Sequence, residues 1–140
     1  MESILNSLTI SYLFLFSLYH AITGVVSVFF PDFALRFYRI LYGFHPKETE
    51  QLKITLRPWG NFAIAIGFIG FIVLFNLEKF FVILFPFALL LLIRVIYRVN
   101  LRNQLYKDLK VTKMQNWRMI LIQLLGVILF SWFAFSLFFK

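Results

Sequence analysis

The stretch that decides the fold is residues 80–99, FFVILFPFALLLLIRVIYRV, which has no charged side chain before Arg94. An α-helix rises about 1.5 Å per residue, and the hydrocarbon core of a bilayer is about 30 Å thick. About 20 predominantly apolar residues are therefore enough to cross it. The stretch predicts a transmembrane helix.

Three further segments have the same character, and together the predicted spans are residues 5–30, 54–77, 80–99 and 117–139. Hydrophobic residues make up 61% of the 140 residues and charged residues only 14%, whereas a soluble domain is about 45–50% apolar. A soluble domain of this size could not bury so much apolar surface. We therefore predict an all-α, single-domain polytopic membrane protein over residues 1–140, folded as an antiparallel four-helix bundle.

The connections between the spans differ in length and character. Residues 33–44 combine Arg36 and Arg39 with bulky aromatic side chains, which predicts a short helix lying in the membrane interface after the first span. Residues 76–79 form so short a turn that we expect the second and third spans to be antiparallel neighbours. Beyond the third span, the basic pattern predicts a helix that continues to residue 109.

Lys and Arg residues are concentrated in two of these connections. Of 14 such residues, five lie in residues 31–57 and seven in residues 94–118, leaving only Lys79 and Lys140. Because Lys and Arg are retained on the cytoplasmic side, we predict that residues 31–57 and 94–118 are cytoplasmic and that both termini are not. The expected location is a bacterial inner membrane. The net charge of +8 then indicates contact with anionic lipid rather than nucleic acid.

His20 lies well inside the first predicted span, where an ionisable side chain is a functional candidate. It shares one helical face with small residues at spacings of three and four: Ser17, Gly24 and Ser27. The second span repeats these spacings with Gly60, Ala63, Gly67 and Gly70. We predict that the two small-residue faces pack together. Two roles for His20 stay open. It could be neutral and hydrogen-bonded to a neighbouring helix, or it could bind a ligand or transfer a proton.

A second polar group lies within about two helical turns of the predicted cytoplasmic boundary: Arg57, Asn61, Arg94, Arg98 and Gln123. If these residues converge, they line a pocket suited to a phosphate headgroup or another anion. The alternative for the arginines is that they reach out to the interface. Counterions for the basic face could be lipid phosphate or the carboxylates of Asp32, Glu48 and Glu50.

Aromatic residues near the same boundary are interpreted as membrane anchors without a chemical role: Tyr38, Tyr42, Trp59, Tyr97, Tyr106 and Trp117.

Several classes of protein are disfavoured by residues that the chain lacks. No Asp or Glu lies inside a predicted span, which argues against a proton-coupled exporter of the small multidrug resistance type. The chain has no Cys and no HExxH, Walker or GxSxG arrangement. A single buried His without a second ligand is a poor metal or haem site. We therefore predict no catalytic residue and no metal site.

The order of several residues resembles the DoxX-like group of small four-helix membrane proteins. Gly24 in the first span is followed by Pro31, an interfacial stretch, and the sequence RPWGN at residues 57–61, which opens a small-residue-rich span through Gly67. The resemblance covers residues 17–75. Some members of that group are linked to quinone-coupled oxidation of sulfur compounds, but the resemblance transfers no catalytic residue to this chain.

Three functions are compatible with the sequence. The first is a non-enzymatic accessory or scaffold subunit that holds anionic lipid at its basic side and packs into a homo-oligomer or a larger membrane complex. The second is a quinone- or lipid-binding subunit of a redox or lipid-modifying enzyme, with His20 near the quinone ring or the headgroup. The third is a small oligomeric transporter, in which His20 would have to be protonated during transport.

Overall fold

The computed structural model describes residues 2–139, and these residues form helices and no strand. Seven α-helices follow one another: α1 (Glu2–Phe29), α2 (Pro31–Tyr42), α3 (Glu50–Phe75), α4 (Leu77–Phe80), α5 (Leu84–Asn100), α6 (Arg102–Asp108) and α7 (Lys113–Phe138). A short 3-10 turn, Phe81–Ile83, joins α4 to α5.

Four helical segments are long and apolar enough to cross a membrane: Ser3–Phe29, Glu50–Phe75, Leu77–Asn100 and Lys113–Phe138. Large hydrophobic side chains such as Phe14, Phe68 and Ile128 are exposed on these helices. Such a surface suits lipid, because helices satisfy their own backbone hydrogen bonds and need no water. The all-α class and the four helices able to span a membrane are confirmed.

The helix that follows the first span begins and ends two residues earlier than the sequence predicts. Pro31 occupies its first turn, where an amide hydrogen is not needed. Gly43 ends it with a left-handed backbone, φ +68°, and donates its N–H to the Arg39 carbonyl. A proline in the first turn and a glycine cap at the C-terminal end therefore delimit this helix as Pro31–Tyr42.

The basic segment after the third span is also different from the expectation. The helix does not continue to residue 109, because it breaks at Leu101 and resumes as α6. The last span starts at Lys113 rather than residue 117, because Thr112 and Gln115 form a reciprocal capping box. Capping by these two side chains extends the helix by one turn toward the basic end.

The helices pair as α1 with α3 and α5 with α7, and α1 also contacts α7. Helices α3 and α5, which the short turn joins, are not among the closely packed pairs. A tight turn brings helix ends together but does not determine where the rest of each helix packs. The close approach of α3 to α1 draws it away from α5.

Small residues make the approach of α1 to α3 possible. A Cβ atom added to Gly60 would lie 2.8 Å from the Gly24 carbonyl oxygen and 2.9 Å from the Ser27 Cβ. A Cβ atom added to Gly67 would lie 2.6 Å from the Ala21 nitrogen. These distances are too short for non-bonded atoms, so the two backbones touch with no side chain between them.

The apolar core occupies the half of the bundle away from α2. Its largest members come from three spans and are aromatic and aliphatic side chains: Leu13, Phe16, Leu84, Phe87, Leu91, Phe130 and Phe133. Phe16 meets Phe87 and Phe130 with ring centroids 5.1 and 5.7 Å apart. These ring contacts make this half of the bundle closely packed.

We predict that Gly67→Leu lowers the melting temperature in detergent, because the new side chain would push α3 off α1. Overpacking of this kind costs about 1–3 kcal/mol. The matched control is Ala65→Leu, because Ala65 lies exposed on the same helix two residues away. Equal melting temperatures for the two variants would contradict the α1–α3 contact.

Candidate functional site

The two basic connections meet at one end of the bundle. The His45 amide donates to the Leu109 carbonyl over 2.9 Å, and the Arg118 guanidinium donates to the Leu41 carbonyl over 3.2 Å. Gly43 lies so close to Gln115 that a Cβ atom there would overlap the Gln115 side chain. These contacts hold α2 and the loop after it across the start of α7, as a cover over the end of the bundle.

Beneath this cover lie two adjoining cavities with volumes of about 240 and 570 Å³. The smaller cavity lies between α1, α2, α5 and α7, and the larger one also reaches α3 and α6. Five residues line both: Tyr19, His20, Tyr42, Arg94 and Gln123. The shared residues are the polar centre of an otherwise apolar space.

His20 is 2% exposed and uses both ring nitrogens. Its Nδ1 lies 2.7 Å from the Phe16 carbonyl oxygen, and its Nε2 lies 3.1 Å from Nη1 of Arg94. A carbonyl only accepts hydrogen bonds and a guanidinium only donates them. These partners therefore fit a neutral imidazole with its hydrogen on Nδ1, and His20 links the first span to the third.

Arg98 is 6% exposed, and no carboxylate of residues 2–139 forms a salt bridge with it. One guanidinium nitrogen donates to Oδ1 of Asn116 over 3.1 Å. The Cζ atom lies 5.4 Å from the centroid of the Tyr42 ring and 5.6 Å from that of Phe44. These aromatic faces stabilise the cation electrostatically, but they leave its full charge unbalanced.

The carboxylates that could have balanced the arginines pair elsewhere. Glu48 bonds Arg39, while Asp32 and Glu50 each lie 2.9 Å from the Lys53 ammonium group. Among residues 2–139, no salt bridge includes Arg94 or Arg98. Two guanidinium groups therefore border one cavity without an acidic partner from the described chain.

Gln123 adds an unused hydrogen-bond acceptor to the same space. Its side chain is 6% exposed, and the buried Oε1 atom has no hydrogen-bond partner. A buried polar atom without a partner costs about 1–3 kcal/mol. Because Gln123 lines both cavities, a ligand bound there could supply the missing donor.

Hydroxyl groups connect α1 to the covering helix. Tyr19 and Tyr42 share a hydrogen bond, and Ser27 is bonded to Tyr38 over 2.8 Å. Burial raises the pKa of the Tyr42 phenol, so this hydroxyl stays protonated at neutral pH. Tyr42, which the sequence indicated as a membrane anchor, also lines both cavities.

Of the six ligand residues predicted from the sequence, four line the cavities: His20, Arg94, Arg98 and Gln123. Arg57 and Asn61 line neither of these two cavities, so the six residues do not all meet there. Both side chains are exposed on α3. The reason is helical geometry: Gly60 faces α1, and each residue turns the helix by about 100°, so Asn61 is carried outward.

The predicted packing residues are divided between two places. Ser17, Gly24 and Ser27 lie against Gly60, Gly67 and Gly70 where α1 meets α3. Ala63 instead borders the larger cavity. Sequence reasoning missed Tyr19 and Asn116. The spacing of four between Arg94 and Arg98 could indicate a shared face, but nothing in the sequence points to Asn116 as the partner of Arg98.

Comparison with protein-family models, curated proteins and solved structures gives no match. The DoxX-like resemblance therefore stays a prediction, and the site is interpreted from its own geometry. Within residues 2–139, no three His, Asp or Glu side chains lie close enough to hold a metal ion.

We predict that Asn116→Ala destabilises the protein, because Arg98 would lose its buried acceptor. Loss of a buried hydrogen bond to a charged group costs about 1.5–3 kcal/mol. Asn103→Ala is the control, since Asn103 lies exposed on α6. Thermal unfolding in detergent measures both, and an unaltered melting temperature for Asn116→Ala would contradict this role.

Proposed function

We propose that this protein is a non-enzymatic integral membrane protein that binds anionic lipid in the cavities beneath α2, as an accessory or scaffold subunit. The single observation that carries the proposal is the pair of guanidinium groups, Arg94 and Arg98, at a cavity where none of the described carboxylates pairs with them.

The electrostatic argument rests on the cost of an isolated charge. Removing an ion from water costs several kcal/mol even after the protein relaxes, unless an opposite charge or a set of hydrogen bonds compensates it. Asn116 and two aromatic rings compensate Arg98 in part, and His20 compensates Arg94 in part. A phosphate between the two arginines would supply the remaining charge and several acceptor oxygens.

Two other functions are supported less by the same geometry. A quinone would fit the apolar walls, but its ring is neutral and would leave both guanidinium charges unbalanced. A transporter that works through protonation of His20 would need a proton on Nε2, where Arg94 already donates. An anionic ligand therefore matches the charge and the hydrogen-bond donors of the cavity better than a quinone or a transported proton does.

The proposed lipid belongs to the leaflet on the basic side of the bundle. The positions of Lys and Arg favour a cytoplasmic location for this side, and the cytoplasmic leaflet is the anionic one. The large exposed apolar surface of α3, with Trp59, Phe62 and Phe68, leaves this helix free to contact another membrane protein. Such a contact would be required for an accessory role in a complex or for a homo-oligomer.

The test is lipid retention by the purified protein. We expect the double variant Arg94→Gln/Arg98→Gln to retain at least about tenfold less phosphatidylglycerol than the wild type, measured by native mass spectrometry. The factor corresponds to loss of charge-assisted hydrogen bonds of about 1.5–3 kcal/mol. Phosphatidylcholine, which has no net charge, should be retained equally by both.

The control is Arg102→Gln, which removes an exposed charge from the same basic side. This variant should retain phosphatidylglycerol like the wild type. Equal losses in the control and in the double variant would show that the basic surface attracts lipid without a site. A bound quinone that survives in all three proteins would favour the redox alternative.

A further inference from the structure

The larger cavity has strongly exposed lining residues on both α3 and α5. It lies where α3 and α5 separate, and residues from both helices form its rim. Trp59 of α3 is 67% exposed, while Ile93 and Tyr97 of α5 are 54% and 57% exposed. A rim with so much exposed apolar and aromatic surface, at the level of the spans, faces lipid rather than water.

The inner end of this opening is polar. His20 and Thr23 of α1 and Arg98 of α5 line the same cavity and are only 2%, 4% and 6% exposed, and Arg94 lies beside them. On the basic side, Tyr42 and Phe44 close the space from above. The cavity lining is therefore apolar at the rim and cationic at the inner end. A lipid bound with its headgroup inside and its tails at the rim would match this order.

The hydrogen-bond donors and acceptors at the inner end of the cavity further limit which lipid headgroup can bind there. The arginines donate and need an acceptor such as a phosphate oxygen. The buried Oε1 of Gln123 accepts and lacks a donor. One group that satisfies both is an anionic phosphodiester whose head also carries a hydroxyl or an ammonium.

We infer that the ligand enters head first from the bilayer between α3 and α5, and that it is a lipid whose anionic phosphodiester head also carries a hydrogen-bond donor. The inference rests on the proposed function. The phosphate lies between Arg94 and Arg98, the donor reaches Gln123, and the acyl tails stay at the rim beside Ala63 and Tyr97. The gap between the second and third spans is the route by which the lipid enters and leaves.

The route is tested by filling the opening. Ala63→Trp places a large side chain at the cavity wall, whereas Ala65→Trp places the same side chain on the exposed face of α3. We expect Ala63→Trp to reduce retained phosphatidylglycerol at least tenfold and Ala65→Trp to leave it unchanged. Ala63→Leu introduces a smaller side chain and should give an intermediate loss of retained phosphatidylglycerol. This variant replaces Ala63→Trp in the test if Ala63→Trp does not fold.

The head chemistry is tested with two anionic lipids that have identical tails. Phosphatidylglycerol carries hydroxyl donors on its head, and phosphatidylmethanol carries none. We expect the wild type to prefer phosphatidylglycerol severalfold and Gln123→Leu to retain both lipids equally. A wild type without this preference would overturn the role of Gln123.

The outcomes separate this inference from the proposed function. If Arg94→Gln/Arg98→Gln loses lipid while Ala63→Trp and Ala63→Leu retain it, the anionic site stands and the route is wrong. If the arginine variant retains lipid, the proposed function itself fails. Excess inorganic phosphate should not displace the lipid. Displacement by phosphate alone would show that the ligand is a free anion and would overturn the inference.

Discussion

The contact between α1 and α3 is the constraint on which the rest of the structure depends. Gly24, Gly60 and Gly67 bring the two backbones together without intervening side chains, and dispersion contacts between such surfaces are the main attraction available to helices in lipid. Because α3 is drawn to α1 and α5 packs on α7, a gap remains between α3 and α5. The cavity of about 570 Å³ lies in this gap.

The basic half of the bundle combines two features that bear on its chemistry. It has buried cationic side chains, and it has space beside them. Arg98 is held by Asn116 and by the rings of Tyr42 and Phe44, which orient the guanidinium without neutralising it. A cation held in this way in a medium of low dielectric attracts an anion more strongly than the same cation would in water.

The covering helix α2 connects the fold to the site. Gly43 gives its end a left-handed turn that only a small residue allows there, and the Leu41 carbonyl is held by Arg118 of α7. These contacts place Tyr42 over the cavity. The same helix contributes Tyr38 to a hydrogen bond with Ser27 of α1. Helix α2 is thus tied to both the first and the last span, and its position defines the upper wall of the site.

The length and apolar composition of residues 80–99 and of the three similar stretches were enough to predict the helices, because a helix in lipid is determined by local hydrophobicity over about 20 residues. The spacing of Gly60 and Gly67 indicated a face for close helix packing. This prediction was also possible from sequence, because helical periodicity is a local property. Residues such as Arg94 and Gln123 stood out because polar side chains inside apolar segments are conspicuous.

Only the tertiary structure decided how these helices are arranged. It separates α3 from α5 despite their short connection, turns Asn61 outward, and brings Asn116 to Arg98 across 18 positions of sequence. The arrangement of the helices depends on which of several compatible helix faces pack together. Contacts between residues far apart in sequence compete to decide this packing. Local sequence therefore determined what each segment is, and the packing of the bundle determined which residues share the cavity.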